Sequence, residues 1–233
     1  MGRSSQFVLN QIKNAVGRDV FTLIKRKLTY YDVEMCYQAH GSTRERFLSV
    51  EFSWYCARNG FLRLLQWAKI NHCPWDSRTC SDAARHGRLE LLQWLYENGC
   101  TWSSDTCSAA SLNGHLEILV WLKTKNCPWN ALTCANASSN GHLITLKWLR
   151  ANLCPWDELT CAFAAHNGHL EVLQWARGNG CPWDELTCYY AADDGHLEVL
   201  QWSIANGAVY NKNDLQRVST KHDKVRQWIE NNL

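Results

Sequence analysis

The 233-residue sequence lacks an apolar run long enough to cross a membrane as a helix, and its N-terminus lacks the apolar segment of a secretion signal. We therefore expect neither membrane insertion nor secretion. The sequence also lacks a charge imbalance, because 24 Lys and Arg face 22 Asp and Glu, giving a formal net charge of +2. Nucleic-acid-binding proteins usually carry a marked basic excess, so the charge does not indicate a nucleic-acid partner.

The motifs of common enzyme sites are missing too, namely a Gly-rich phosphate loop, G-x-S-x-G and H-E-x-x-H. The His, Asp and Cys residues recur mostly at periodic positions. An active site is normally one asymmetric group of nucleophile, base and orienting residue. We therefore expect a protein that is not an enzyme and that needs no cofactor and no metal ion.

Cysteine and tryptophan, by contrast, are abundant, with 12 Cys and 13 Trp. In a small secreted protein, so many cysteines would predict a disulfide framework. Without a secretion signal, free thiols in a reducing compartment are the better interpretation. This interpretation predicts a cytoplasmic protein.

A period of 27 residues organises most of the chain. When the cysteine of each C-P-W, or of the single C-T-W, is numbered position 1, five repeats align without a gap. Positions 1 and 8 are always Cys, positions 3 and 22 Trp, position 15 Gly, and positions 17 and 20 Leu. The five repeats are residues 73–99, 100–126, 127–153, 154–180 and 181–207.

The period extends beyond these five repeats in both directions. Residues 46–72 form a partial repeat with Gly60, Leu62 and Leu65 in register. Residues 208–233 are a degenerate last repeat without cysteine, as expected of a terminal cap with a solvated face. Residues 1–45 do not fit the period, and we predict that they form a helical capping segment.

Within a repeat, the residue types predict two helices. Position 4 is Asp, Asn or Ser, which can accept hydrogen bonds at the start of a helix over positions 5–13. The glycine at position 15 suits a left-handed helix end, and positions 16–25 have the apolar pattern of a second helix. One such hairpin is too small to bury its own apolar face. Stacked repeats solve this problem, so we predict an all-α solenoid.

Residues 168–184, GHLEVLQWARGNGCPWD, resemble the second helix and exit loop of an ankyrin repeat. An ankyrin repeat has about 33 residues, and the missing ones fall where ankyrin repeats form the tip of a β-hairpin finger. Short repeats of this C-P-W-D-E type are similar to those in predicted proteins of protists and large DNA viruses. The resemblance implies an ankyrin-like α-solenoid that lacks most of the β-hairpin fingers. For a viral protein, the compartment would be the host cytoplasm.

The periodic cysteines allow three interpretations. Cys154, Cys161 and His169 could offer zinc ligands, although the close spacing typical of zinc sites is missing. Positions 1 and 8 could form disulfides, or both could be free thiols that pack as small hydrophobic residues. We favour packing for the cysteines, and likewise for the tryptophans over base stacking on nucleic acid.

The positions that differ between repeats indicate a binding surface. Positions 10, 13 and 14 flank an alanine pair on the first helix, and in ankyrin-like stacks these positions line the concave face. Aromatic residues there belong to the class enriched at binding hot spots. The candidate partner-binding residues are Tyr55, Arg58, Asp82, Arg85, His86, Phe163, His166, Tyr189, Tyr190 and Asp193.

We therefore predict a monomeric, non-catalytic scaffold that binds a protein partner on its concave helical face. Two alternatives stay open. The chain could be a substrate-recognition adaptor of a ubiquitin ligase that uses residues 1–45, or a zinc or thiol-redox protein that uses the periodic cysteines.

Overall fold

The computed structural model describes residues 49–70 and 72–233. The capping segment predicted for residues 1–45, and the adaptor hypothesis that depends on it, lie outside the described residues. The described residues divide into two compact units, an N-terminal unit that ends at residue 102 and a C-terminal unit of residues 103–233.

The described residues form α-helices and one short 3-10 helix, and no β-strand occurs among them. The helices of the N-terminal unit are α1 Val50–Asn59, α2 Leu62–Ile70, α3 Ser77–Arg85 and α4 Leu89–Glu97. Those of the C-terminal unit are α5 Ser104–Leu112, α6 Leu116–Thr124, α7 Ala131–Ser139, α8 Leu143–Ala151, α9 Glu158–His166, α10 Leu170–Gly178, α11 Glu185–Asp193, α12 Leu197–Ala205, α13 Lys212–Val218 and α14 Asp223–Asn232, with the 3-10 turn Ser219–Lys221 before α14. Odd-numbered helices are the first helices of their repeats and even-numbered helices the second, which confirms the predicted all-α hairpin repeat.

The first helices begin where position 4 supplies a capping side chain. Asp157 Oδ1 accepts the backbone N–H of Leu159 at 3.2 Å, and Asp184 Oδ1 accepts that of Leu186 at 3.0 Å. Such caps contribute about 1 kcal/mol each to helix stability. Because the cap recurs at the same position, each first helix in the 27-residue repeats starts at position 5.

The deepest core lies between the two helices of each repeat. The leucine at position 20 is fully buried in all five repeats, and small residues at positions 11 and 12 let first helices approach one another closely. Within each unit, the first helices of adjacent repeats pack more closely than the second helices do. None of the helices in the described ranges has both the length and the apolarity to cross a bilayer.

A thiol hydrogen bond joins each of the five complete repeats to the one before it. The Sγ of the cysteine at position 1 donates to the backbone carbonyl at position 4 of the preceding repeat. That carbonyl already accepts a helical N–H, so the thiol uses its second lone pair. The pairs are Cys73 to Ser49 at 3.2 Å, Cys100 to Asp76 at 3.2 Å, Cys127 to Ser103 at 3.6 Å, Cys154 to Asn130 at 3.6 Å and Cys181 to Asp157 at 3.4 Å.

A second bond between repeats comes from position 16. His169 Nε2 lies 3.1 Å from the carbonyl oxygen of Ser139, the last residue of α7, and His196 Nε2 lies 3.1 Å from that of His166. Since a carbonyl only accepts, Nε2 carries the proton. The imidazole thus satisfies a carbonyl that the end of an α-helix leaves without a partner. In the N-terminal unit, Arg88 Nε takes this role toward Arg58 O at 3.4 Å.

The tryptophans at positions 3 and 22 of the five complete repeats are half-buried rather than deep in the core. In four repeats the rings at positions 3 and 22 meet edge to face, for example Trp156 and Trp175 at 6.0 Å. A cation at position 24 lies over the position-3 ring of the next repeat, as Arg150 does over Trp156 at 4.1 Å. Tyr96 replaces the cation and stacks on Trp102 at 4.4 Å. In these four repeats the tryptophan pairs therefore pack the second helix against the loop at positions 1–4 of its own repeat.

Two constraints favour glycine at position 15, a left-handed backbone and a histidine ring close to where a Cβ would lie. Substitutions can separate the two constraints. Gly168 has φ +74°, and an added Cβ would lie 2.6 Å from His196 Nδ1. Gly180 has a similar φ of +83° but open space around a Cβ. We expect Gly180→Ala to cost about 1 kcal/mol of unfolding free energy from the left-handed backbone alone. Gly168→Ala should cost about 1–2 kcal/mol more, because the ring must move and its bond to His166 O is lost.

Urea unfolding followed by circular dichroism measures both values. In a His196→Ala background, the extra cost of Gly168→Ala should disappear. Equal costs for the two glycine variants in the otherwise unchanged chain would contradict the proposed contact between histidine and glycine.

Candidate partner-binding face

Apart from Tyr189 at position 9, the predicted binding residues lie at the surface that positions 10, 13 and 14 form, along the first helices and just after them. We call this surface the first-helix face. In the N-terminal unit the first-helix face consists of residues from α1 and α3, and in the C-terminal unit it consists of residues from α5, α7, α9 and α11. The predicted residues fall into two groups, one in each unit.

The group in the N-terminal unit is held together by Asp82. Its side chain is 8% exposed, and its carboxylate lies 3.5 Å from Arg58 Nη2 and 4.0 Å from Arg78 Nε. The backbone carbonyl of Asp82 also lies 2.9 Å from His86 Nδ1. Asp82 therefore organises its neighbours instead of presenting a free carboxylate to a partner, a role that the repeat pattern did not predict.

The other members of this group are more accessible. Arg58 and Arg85 are exposed, whereas Tyr55 is half-buried with its ring 5.9 Å from that of Phe61. The surface around Asp82 is therefore basic at its exposed edge.

The group in the C-terminal unit is aromatic and acidic. Tyr190 meets His166 at 5.1 Å and Tyr189 at 5.7 Å, both edge to face, and Phe163 is half-buried one repeat earlier. His166 Nδ1 lies 2.6 Å from Asp194 Oδ2, so the imidazole and the carboxylate form a pair between α9 and the end of α11. The structure thus brings together predicted residues from two adjacent repeats.

Asp193 connects this group to the C-terminal repeat. Its carboxylate lies 3.4 Å from Lys221 Nζ, and its backbone carbonyl lies 2.9 Å from His222 Nε2. Asp193 is therefore partly committed to holding the last repeat in place.

A cleft that the sequence reasoning missed opens beside this group, between α11 and α13. It has a volume of about 190 Å³. Only Tyr189 among its lining residues was a predicted site residue. A signal was present, because position 9 holds Ser or Ala in the earlier complete repeats and Tyr only at 189. The lining residues are Glu185, Leu186, Tyr189, Asn211, Asp214 and Leu215.

Charge in the C-terminal unit is divided between the two helix layers. The four segments at positions 4–15, which are residues 103–114, 130–141, 157–168 and 184–195, together contain seven carboxylates and neither Lys nor Arg. The corresponding halves at positions 16–27 contain five Lys or Arg and three Glu. The seven acidic residues are Asp105, Asp157, Glu158, Asp184, Glu185, Asp193 and Asp194.

The thiols pair between repeats and not within them. Position 8 of one repeat hydrogen-bonds position 1 of the next, in the pairs Cys107–Cys127, Cys134–Cys154 and Cys161–Cys181. All eleven described cysteines are free and buried. The bond to the neighbouring thiol, together with burial, raises the pKa of the position-8 thiol in each pair well above its usual range.

These contacts do not assemble the zinc ligands considered from the sequence. Cys154 pairs with Cys134, Cys161 pairs with Cys181, and His169 bonds the carbonyl of Ser139. Within the described ranges, no three His, Cys, Asp or Glu side chains converge as metal ligands would. The thiol-redox alternative also lacks an exposed thiol in this part of the chain.

Comparisons with known proteins identify the fold. No protein-family model matches the chain, and no curated protein matches it. Among solved structures, the chain is similar to the human ASB11 ankyrin repeat domain, with a TM-score of 0.58 and 16% sequence identity. The match covers 76% of this chain and 96% of that domain. The fold is therefore ankyrin-like, as the sequence resemblance implied.

The raised thiol pKa values predict chemical protection. Burial raises the pKa of Cys188 to about 12, so very little of it is thiolate at pH 8.5. We expect the eleven described cysteines to resist iodoacetamide at pH 8.5 in the folded protein and to react fully in urea. Mass spectrometry of the digested protein locates the labelled residues. Rapid labelling of any position-1 or position-8 cysteine without urea would contradict the buried pairs.

Proposed function

We propose that the chain is a non-catalytic scaffold that binds a protein partner through its first-helix face. This surface corresponds to the concave face of ankyrin stacks. The observation that carries the proposal is the cluster of Phe163, His166 and Tyr190. These half-buried aromatic rings and the exposed imidazole lie at positions that differ between repeats, while the stacking positions stay constant.

The short repeat supports recognition by helices rather than by loops. The described residues contain no β-strand, so the hairpin fingers that would extend an ankyrin binding surface are missing from this part of the chain. A partner that reaches the first-helix face would therefore rest mainly on helix side chains.

The protonated and disulfide-free state of the described cysteine thiols supports two parts of the proposal, namely a protein without catalytic activity and a reducing compartment. Raised pKa values leave the thiols of Cys107, Cys134 and Cys161 protonated near neutral pH, and a protonated thiol is a poor nucleophile. Free cysteines are typical of a reducing compartment such as the cytoplasm. We infer a monomer that works there.

Alanine variants test the binding face. An affinity capture with the intact chain supplies the partner, whose affinity is then measured by isothermal titration calorimetry. We expect Phe163→Ala combined with Tyr190→Ala to weaken binding roughly 30-fold or more, because aromatic anchors dominate interface energies. The melting temperature should change little, since both side chains are only half-buried.

Val120→Ala is the matched control, because Val120 is an apolar residue, 42% exposed, on the second helix α6. It should leave the affinity unchanged. A large loss of stability with binding intact in the double variant would overturn the proposal, and so would a stronger effect of Val120→Ala on affinity.

A further inference from the structure

The cleft between α11 and α13 lies where one side chain, Tyr189, departs from the repeat pattern. In the C-terminal unit, position 9 of the preceding repeats is occupied by Ser108, Ala135 and Ala162, all buried. Ser108 Oγ lies 3.2 Å from Thr133 Oγ1, so position 9 faces the first helix of the next repeat. A tyrosine does not fit in that space.

Tyr189 is accordingly half-buried, with its ring against Tyr190, and α13 packs less closely on α11 than the earlier first helices pack on one another. The helix α13 is also short, spanning only Lys212–Val218. The result is an opening with an aromatic wall and two leucines, Leu186 and Leu215.

The rim of the cleft carries an available negative charge. Glu185 lies in the first turn of α11, is exposed, and has no ion-pair partner within the described ranges. Asp214 is already paired with Arg217 at 3.0 Å, and Lys212 is the other cation at the start of α13. The rim itself is therefore mixed in charge, with Glu185 as its free carboxylate.

The charges on the first helices around the cleft make the electrostatic potential of this surface negative. Positions 4–15 of the four repeats between residues 103 and 195 hold seven carboxylates and no Lys or Arg, so a cationic segment lying along the first helices of the C-terminal unit is attracted to them. Aromatic faces also attract cations, and the long aliphatic stems of Lys and Arg can pack on leucine. The geometry and the charge therefore complement the same kind of side chain.

We propose that the docking segment of the partner protein is basic and that one of its Lys or Arg side chains occupies the cleft between α11 and α13. The aliphatic stem packs on Leu186 and Leu215, and the charged end lies against the Tyr189 ring, within reach of Glu185. This inference rests on the proposed scaffold function and specifies its partner.

A random 12-residue peptide library, displayed on phage and selected on the full chain, tests the inference before the partner itself has been identified. We expect the enriched peptides to be rich in Lys and Arg. A labelled peptide of the most enriched sequence should bind about tenfold more weakly to Tyr189→Ala, which restores the small residue of the earlier repeats. Glu185→Gln should weaken it roughly three- to tenfold and reduce the salt dependence of binding.

Glu198→Gln is the matched control, because it removes the same charge from an exposed position on the second helix α12. It should leave the affinity of the peptide unchanged. Circular dichroism and thermal melting show whether each variant is folded.

Three outcomes would overturn the inference. Enriched peptides could lack basic residues, or basic peptides could bind Tyr189→Ala and Glu185→Gln as well as the unchanged chain. The chain could also self-associate through the cleft, which sedimentation of the unchanged chain and of Tyr189→Ala would reveal. The scaffold proposal survives these outcomes if Phe163→Ala with Tyr190→Ala still weakens partner binding. If that double variant has no effect on the captured partner, the scaffold proposal itself fails.

Discussion

A 27-residue hairpin has too little interior to stay folded alone, so everything else in the structure depends on the contact between one repeat and the next. The chain makes this contact at both ends of first helices such as α9. The position-1 thiol of the following repeat binds the carbonyl at the helix start, and the position-16 side chain binds the carbonyl at the helix end. Cys181 with Asp157, and His196 with His166, show this arrangement around α9.

Because these bonds hold a first helix at its two ends, side chains on one side of its middle take no part in joining the repeats. Side chains at positions 10 and 13 can therefore change without disturbing the stack, and they range from Asn136 to Phe163 and Tyr190. The same freedom has limits where a side chain is recruited for structure. Asp82 occupies a variable position, yet it is buried in an ion-paired network.

The division of charge between the layers also has a structural cause. The cations at position 24 lie on the second helices and make structural contacts there. Arg177, for example, lies over the Trp183 ring and donates to the Cys181 carbonyl at 3.1 Å. No comparable task requires a cation on the first helices of the C-terminal unit. The acidic character of the segments at positions 4–15 follows in part from this arrangement.

The sequence was sufficient to predict the helices, because caps such as Asp184 and the glycine at position 15 act on the residues beside them. It was insufficient to predict which thiols meet. A period shows that Cys134 and Cys161 are equivalent, but not that each pairs with a cysteine of the next repeat. The cleft beside Tyr189 was missed for the same reason, since it depends on how closely α13 approaches α11.

The recurring thiol and imidazole bonds that join repeats in the C-terminal unit each span a fixed interval of the chain, 24 residues for the thiol and 30 for the imidazole. Both intervals link a repeat only to its immediate neighbour, and Cys at position 1 and His at position 16 recur in all four repeats from 100–126 to 181–207. Loss or gain of a whole 27-residue segment among these repeats therefore leaves each of these thiols and imidazoles with a carbonyl acceptor, whereas a change of any other length does not. At the level of the gene, the binding face could lengthen by duplication while the interior stays as it is, and the octet CPWDELTC, present at residues 154–161 and 181–188, is what such a duplication would leave behind.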